Sequence, residues 1–352
     1  MNIADNHLVV MAGGIGSRFW PMSTPENPKQ FLDIMGTGRT MLQLTVDRFA
    51  GVVPMENVWV VTGERFAGMV KEQLPEISPN HVLLEPCGRG TAPCVCYASW
   101  RIKMENPRAN VVVAPADHDI RKVSQLRATI TDALDFAAET DCIVTIGIHP
   151  TRPATGYGYI RADLSLPALR MKKLFRVDAF KEKPDLATAT AYLRRNDYFW
   201  NSGIFVWSVP TIINAFRVYA RDISKIFEGL QDVYGTEREQ SVINEVFPTC
   251  PNISVDYAIM EKAEEVFVCP VDMGWSDLGT WGSLRDQLEK DEYGNAIVGE
   301  GVRAVETENC IIHSRSAKKI IVQGLEDCIV VENDGNILIC KLSEEQRIKS
   351  FL

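Results

Sequence analysis

Residues 8–32 read LVVMAGGIGSRFWPMSTPENPKQFL. Positions 8–12 are all apolar, which marks a strand buried on both faces rather than an alternating surface strand. Gly13, Gly14 and Gly16 follow at once, then Arg18 and, eleven residues later, Lys29. Glycines let backbone N–H groups approach an anion and permit turns with φ > 0 that aim several of them one way. Arg18 offers a bidentate fork to phosphate oxygens and Lys29 a point charge. The stretch therefore reads as a phosphate cradle at the carboxyl end of a strand, with Ala12, Gly13, Gly14, Gly16, Ser17, Arg18 and Lys29 as candidate nucleotide-binding positions. No GKS/T follows, so a Walker A loop is excluded. Gly14-Ile15-Gly16 runs on into Ser17-Arg18-Phe19 and misses the GxGxxG spacing of a dinucleotide fold.

Outward from this stretch, further apolar runs at 58–62, 81–84, 110–114 and 142–147 alternate with helical patterns at 41–49, 64–74, 91–105 and 123–138. That alternation predicts an open α/β domain with a mostly parallel sheet. Ligands in such sheets sit at the carboxyl ends of strands, so the loops after Ala12, Leu84, Ala114 and Gly147 are the ones to inspect. The middle of the chain adds strands near 156–160, 177–181, 201–207 and 266–270. Pro184 is expected at the first turn of a helix, and Pro210 likewise. After residue 295, Ile311, Ile320, Ile329 and Leu338 recur at nine-residue spacing between turn residues, which predicts a small β unit, a short β-helix or hairpin stack. Ser343 with Glu344, Glu345 and Gln346 resembles a capping box for a last helix. A division at 1–290 and 291–352 is expected.

Across 352 residues, 46% are hydrophobic and the net charge is −9. The first figure supports a substantial core. The second argues against a general nucleic-acid partner, so an anionic substrate must be held by a local cluster of cations. Nine cysteines, an odd number with no CxxC, read as reduced thiols. No run reaches membrane-spanning length, and a soluble cytoplasmic protein is expected.

The string GGxGxRxWPxS followed by PKQF resembles the signature of mannose-1-phosphate guanylyltransferases, within the wider nucleotide-sugar pyrophosphorylases. The resemblance continues in order through Glu85-Pro86, Gly88-Arg89, Thr91-Ala92-Pro93, Pro115-Ala116-Asp117-His118, Thr155-Gly156-Tyr157-Gly158-Tyr159-Ile160, Phe180-Lys181-Glu182-Lys183-Pro184, Asn201-Ser202-Gly203 and Gly274-Trp275-Ser276-Asp277. It implies a Rossmann-like nucleotidyltransferase domain followed by a small left-handed β-helix, without the isomerase domain fused to some relatives. It implies transfer of GMP from GTP to α-D-mannose 1-phosphate, with Mg²⁺ held by Asp117 and Asp277. Arg18, Lys29, Lys183 and Asp117 become the expected catalytic residues. Glu85, Pro86 and Thr91 join the glycine loop around the nucleotide; Gly156, Tyr157, Glu182, Lys183 and Asn201 take the sugar phosphate. The chain departs from the expected pattern at Gly90, where Asn is expected, and at Phe19, where Leu is commoner.

From residue chemistry alone, other readings stay open. Asp117 could cap a helix, Asp277 could sit in a turn, and Glu182 with Lys183 could be a solvated strand end. His118 reads as pocket wall, and Trp200, Trp207, Trp275 and Trp281 as core or pocket wall. A pyrophosphorylase for another NTP and sugar 1-phosphate, or a nucleotide-sugar sensor of the same fold, is the alternative function. The C-terminal β unit offers edges and a flat face suited to a homodimer.

Overall fold

The apolar run at the amino terminus is strand β1 (Asn6–Ala12). It has parallel neighbours on both sides: Leu8 pairs with Val58 of β2 (Val58–Gly63) and with Val112 of β4 (Asn110–Pro115). A strand flanked this way and covered by helices has no wet face, and Leu8, Val9 and Val10 are all buried. β3 (Val82–Glu85) adds in parallel beyond β2. Helices α1 (Met41–Arg48), α2 (Ala67–Gln73), α3 (Thr91–Glu105) and α4 (Val123–Glu139) fall where the sequence pattern puts them. This computed structural model describes residues 3–14, 16–167, 173–316 and 319–352.

The remaining strands of the large sheet are β5 (Ile143–Ile148), β6 (Tyr159–Pro167), β7 (Phe175–Lys181), β8 (Tyr198–Ser208) and β9 (Val266–Pro270). Their order is β3-β2-β1-β4-β8-β5-β9-β7-β6. The sheet is mixed, which corrects the expectation of a mostly parallel one. β8 enters its centre antiparallel to both β4 and β5, and β6 and β7 form an antiparallel pair. A central strand buried on both faces is apolar whichever way it runs, so composition carries no trace of its direction. The core of this body includes Trp59, Trp100, Trp207, Phe205 and Phe216. One further correction is local. Asp185, not a proline, caps the helix Leu186–Leu193, its carboxylate accepting from the Thr188 amide; Pro184 lies outside it.

The chain forms two compact units. One comprises the chain up to Gly13, Thr45–Pro115 and Ile120–Trp275; the other comprises Gly14–Leu44, Ala116–Asp119 and Ser276–Leu352. The second unit contains β10 (Ala296–Val298), β11 (Val302–Val305), β12 (Ile311–Ser314), β13 (Ile320–Gln323), β14 (Cys328–Asn333) and β15 (Asn336–Lys341). The nine-residue rhythm resolves into two parallel ladders, with Ile311 opposite Ile329 on one and Val302 opposite Ile320 on the other. β15 then returns antiparallel, Leu338 facing Val331. Their inward side chains pack with Phe19, Met22, Leu32 and Ile34 from the stretch that follows the glycines, and with Leu278, Trp281 and Ile348. Leu342–Ser350 is a 3-10 segment with no side-chain cap, so the capping box expected at Ser343 does not form.

Candidate active site

β1 ends at Ala12, whose carbonyl accepts the Thr62 hydroxyl at 2.9 Å. Beyond Gly14, Gly16 adopts a left-handed conformation (φ 63°), and the Phe19 amide donates back to its carbonyl at 3.0 Å. A Cβ on Gly16 would stand 2.6 Å from the Lys29 Cβ, so glycine is required both by φ and by the close passage of the PKQF segment. Gln30 fixes that passage by donating from Nε2 to the Gly14 carbonyl at 2.8 Å. Ser17 opens the 3-10 turn; its side chain lies outside the described residues.

A cavity of about 290 Å³ opens beside this turn, lined by Gly16, Arg18, Phe19, Lys29, Asp117, His118, Asp277, Leu278 and Gly279. The structure thus brings together Arg18, Lys29, Asp117 and Asp277, which are up to 259 positions apart in the chain. Lys29 is 2% exposed, and its ammonium donates to Asp117 Oδ2 at 3.2 Å and to the carbonyls of Asp277 at 2.8 Å and Leu278 at 2.7 Å. It also stands 5.3 Å from the centre of the Phe19 ring, which packs on Trp281. Phe19 in place of the commoner Leu supplies this aromatic face. Arg18 is exposed and donates from Nη1 to the Gly279 carbonyl at 3.3 Å. Burial raises the pKa of the Asp117 carboxyl, but Lys29 and the neighbouring His118 outweigh it and hold it below the usual carboxylate range. Asp277 turns back to accept the Gly279 amide at 3.1 Å.

Two carboxylates in one cavity suit a hard divalent cation that keeps most of its shell for water and phosphate. Among the described residues no group of three or more His, Cys, Asp or Glu converges on a point. The carboxylates that line the cavity are Asp117 and Asp277, the first paired with Lys29 and the second accepting the Gly279 amide.

In the other unit, Glu85 ends β3. It is 9% exposed, its Oε1 has no hydrogen-bond partner among the described residues, and burial raises its pKa from 4.5 to about 7, against a smaller opposing hydrogen bond with Cys94. A Cβ on Gly13 would lie 3.6 Å from Glu85 Oε2. Pro86 follows, and Thr91 opens α3 with its hydroxyl accepting the Val255 amide at 2.9 Å. Gly90 takes φ 74° and ψ −179°, and a Cβ there would meet the Ile253 carbonyl oxygen at 2.5 Å. Arg89, Gly90 and Ala92 are laced to Ile253, whose amide donates to the Arg89 carbonyl at 3.2 Å and whose carbonyl accepts from Ala92 at 3.1 Å. Glycine instead of the expected Asn is what this docking needs.

The same unit gathers Gly156, Tyr157, Glu182, Lys183 and Asn201. The Asn201 amide donates to Asp256 at 2.7 Å, its Oδ1 accepts from Gly203 at 3.1 Å, and its backbone N–H donates to the Gly158 carbonyl at 2.9 Å. Glu182 pairs with Lys183 at 2.9 Å; the Lys183 side chain is 64% exposed on a left-handed backbone (φ 43°). A Cβ on Gly158 would collide with Glu182 Oε2 at 2.5 Å, whereas one on Gly156 would meet nothing within 4 Å. Tyr157 stands edge-on to Trp200 and Trp275, and its hydroxyl accepts from Arg152 at 3.1 Å. Two members of this cluster escape the sequence reading. Arg152 precedes the Gly156 turn as an ordinary loop cation. Asp256 opens a π-helical turn, Asp256–Met260, 55 positions from Asn201; its pKa is raised by burial and then by the Glu182 charge. A π turn inside helical sequence is frequent at functional sites but has no sequence signature here.

The α/β body, the glycine turn after its first strand and the cavity of cations and carboxylates define a nucleotidyl-transferring protein. Residues 7–293 match the family model described as nucleotidyl transferase, and the chain belongs to that family. It is 36% identical over 349 residues to a mannose-1-phosphate guanylyltransferase of Escherichia coli, covering 98% of this chain and 74% of that one. It is 37% identical to the xanthan biosynthesis protein XanB of Xanthomonas campestris, covering 98% and 72%. A solved structure described as mannose-1-phosphate geranyltransferase from Thermus thermophilus superposes with a TM-score of 0.87 at 30% identity, covering 99% of this chain and 98% of that one.

Proposed function

We propose that the protein transfers GMP from GTP to α-D-mannose 1-phosphate, releasing pyrophosphate and forming GDP-mannose. The observation that carries this reading is similarity along 98% of the chain to proteins named for that reaction. The nucleophile is a phosphate oxygen of the sugar phosphate, attacking the α-phosphorus of GTP as the bond to pyrophosphate breaks. Its second pKa is about 6, so near neutral pH it is already ionised and no protein base is needed. The work left to the protein is to hold two polyanions together and to stabilise the charge that develops. Arg18 at the cavity rim and the N–H groups of Gly13, Gly14 and Gly16 suit the triphosphate. Lys183, exposed and paired with Glu182, suits the sugar phosphate, with Asn201 and Tyr157 beside the sugar. Asp117 and Asp277 are the residues that would hold Mg²⁺, which when bound supplies Lewis-acid stabilisation of phosphate charge. The two parallel ladders of the second unit, with in-register partners eighteen positions apart, support reading it as a short β-helix.

The test is pyrophosphate release from purified protein with Mg²⁺, each common sugar 1-phosphate and each NTP in turn. Release with GTP and mannose 1-phosphate is expected. Release only with another pair overturns the substrate assignment, and none with any pair favours a sensor of the same fold.

A further inference from the structure

Arg152 is exposed, yet its surroundings fix where its charge lies. Pro153 follows it, which confines its backbone to extended conformations, and its carbonyl accepts the Ala154 amide at 2.9 Å. The guanidinium stands 5.3 Å from the centre of the Tyr157 ring and 5.8 Å from that of Trp200, and its Nη2 donates to the Tyr157 hydroxyl at 3.1 Å. Tyr157 in turn packs edge-on to Trp200 and Trp275, both buried. Among the described residues no carboxylate pairs with Arg152. A guanidinium laid against aromatic rings keeps its N–H edge available, and the Tyr157 hydroxyl takes one of its five donors.

The strand register decides what lies beside it. Tyr159 of β6 pairs with Lys181 of β7 on one side and with Trp200 of β8 on the other, both antiparallel. Tyr157, Lys183 and Asn201 therefore leave three neighbouring strands at the same end. Glu182 and Asp256 place two carboxyl groups there, and the Lys183 ammonium already lies 2.9 Å from Glu182. A phosphate monoester brings about −1.5 to −2 of further charge. Lys183 alone would leave that charge against Glu182, so a second cation is needed. The turn at Gly156 leaves room for a ligand next to the guanidinium: a Cβ there meets nothing within 4 Å.

We propose that Arg152 is a substrate-binding residue. Mounted on Tyr157 and Trp200, its guanidinium forks onto the phosphate of the sugar 1-phosphate as the second cation beside Lys183. The identity of the sugar rests on the transferase reading above; the phosphate-holding role of Arg152 does not.

The experiment compares wild type with Arg152→Gln and Arg152→Lys. Steady-state kinetics give KM for mannose 1-phosphate and for GTP. Calorimetry gives the affinity for each sugar 1-phosphate, and for mannose, on protein saturated with a GTP analogue whose α–β bridge is a CH₂ group. In Arg152→Gln, KM and Kd for mannose 1-phosphate are expected to rise about tenfold or more, with KM for GTP within about twofold of wild type. Arg152→Lys keeps the charge without the fork and should recover part of the loss. A KM for mannose 1-phosphate within about twofold of wild type in Arg152→Gln would make Arg152 a solvated loop cation and overturn the proposal. An equal or larger rise in KM for GTP would assign it to the nucleotide phosphates and overturn it too. If no substrate pair turns over, the transferase reading falls, while calorimetry still decides the role of Arg152: a sugar 1-phosphate bound by wild type and lost in Arg152→Gln upholds it. Wild type that binds mannose as tightly as mannose 1-phosphate would overturn it.

Discussion

Glu85→Gln isolates the buried carboxyl at the end of β3. Burial moves this group from 4.5 to about 7 in the folded protein, outweighing a hydrogen bond with the Cys94 thiol that acts the other way. Below pH 4.5 both folded and unfolded chains hold the proton, and the side chain is neutral in both. Between pH 4.5 and about 7 the unfolded chain releases its proton while the folded one keeps it, so stability falls as pH rises; above 7 the loss is complete. At 1.36 kcal/mol per unit the loss is about 3 kcal/mol. A glutamine stays neutral throughout, so Glu85→Gln should gain about 3 kcal/mol on wild type between pH 4.5 and pH 8. Wild-type data alone would hide this. His7 and His313 are pushed down to about 4, chiefly by burial, and contribute stability present above pH 6.5 and lost as pH falls toward 4. Their slope opposes that of Glu85 over nearly the same window, and only the difference between the two proteins separates them. The assay is urea denaturation followed by tryptophan fluorescence at pH 4.5, 5.5, 6.5 and 8. A difference that stays flat across this range, or that favours wild type at pH 8, would refute the assignment of a protonated Glu85.

Gly90→Asn should destabilise the protein by about 2–3 kcal/mol, because an Asn side chain at φ 74° would meet the Ile253 carbonyl; an unchanged melting temperature would contradict this. Asp256→Ala removes the acceptor that orients the Asn201 amide, and should raise KM for the sugar phosphate about tenfold while leaving KM for GTP steady; equal shifts in both would remove Asp256 from the sugar side. Asp117→Ala should fold and lose about 10²–10³ in kcat, and EDTA should silence the wild-type enzyme until Mg²⁺ is restored. Full activity in that variant would sink the metal assignment.

Local order was legible because it is written in neighbours. The buried run 8–12, the helix pattern at 91–105 and the nine-residue rhythm after 295 each reflect a periodicity that the backbone imposes within a few residues. Strand direction was not legible, since β8 is largely buried on both faces and would be so either way. Nor were Asp256 and Arg152, whose meaning depends on what stands opposite them. The departures at Phe19 and Gly90 were visible as letters, but their reasons, an ammonium over a ring and a carbonyl 2.5 Å from an absent Cβ, exist only in three dimensions.

The opening stretch divides in the same way. Its sequence determined a strand that empties into a glycine turn flanked by two cations, because glycine and charge have the same chemistry in any fold. What Lys29 does with its charge was decided elsewhere. Only tertiary structure brings Asp117 and the carbonyls of Asp277 and Leu278 to within 3.2 Å of its ammonium. A buried cation acts through its nearest acceptors, and those are set by packing rather than by position along the chain.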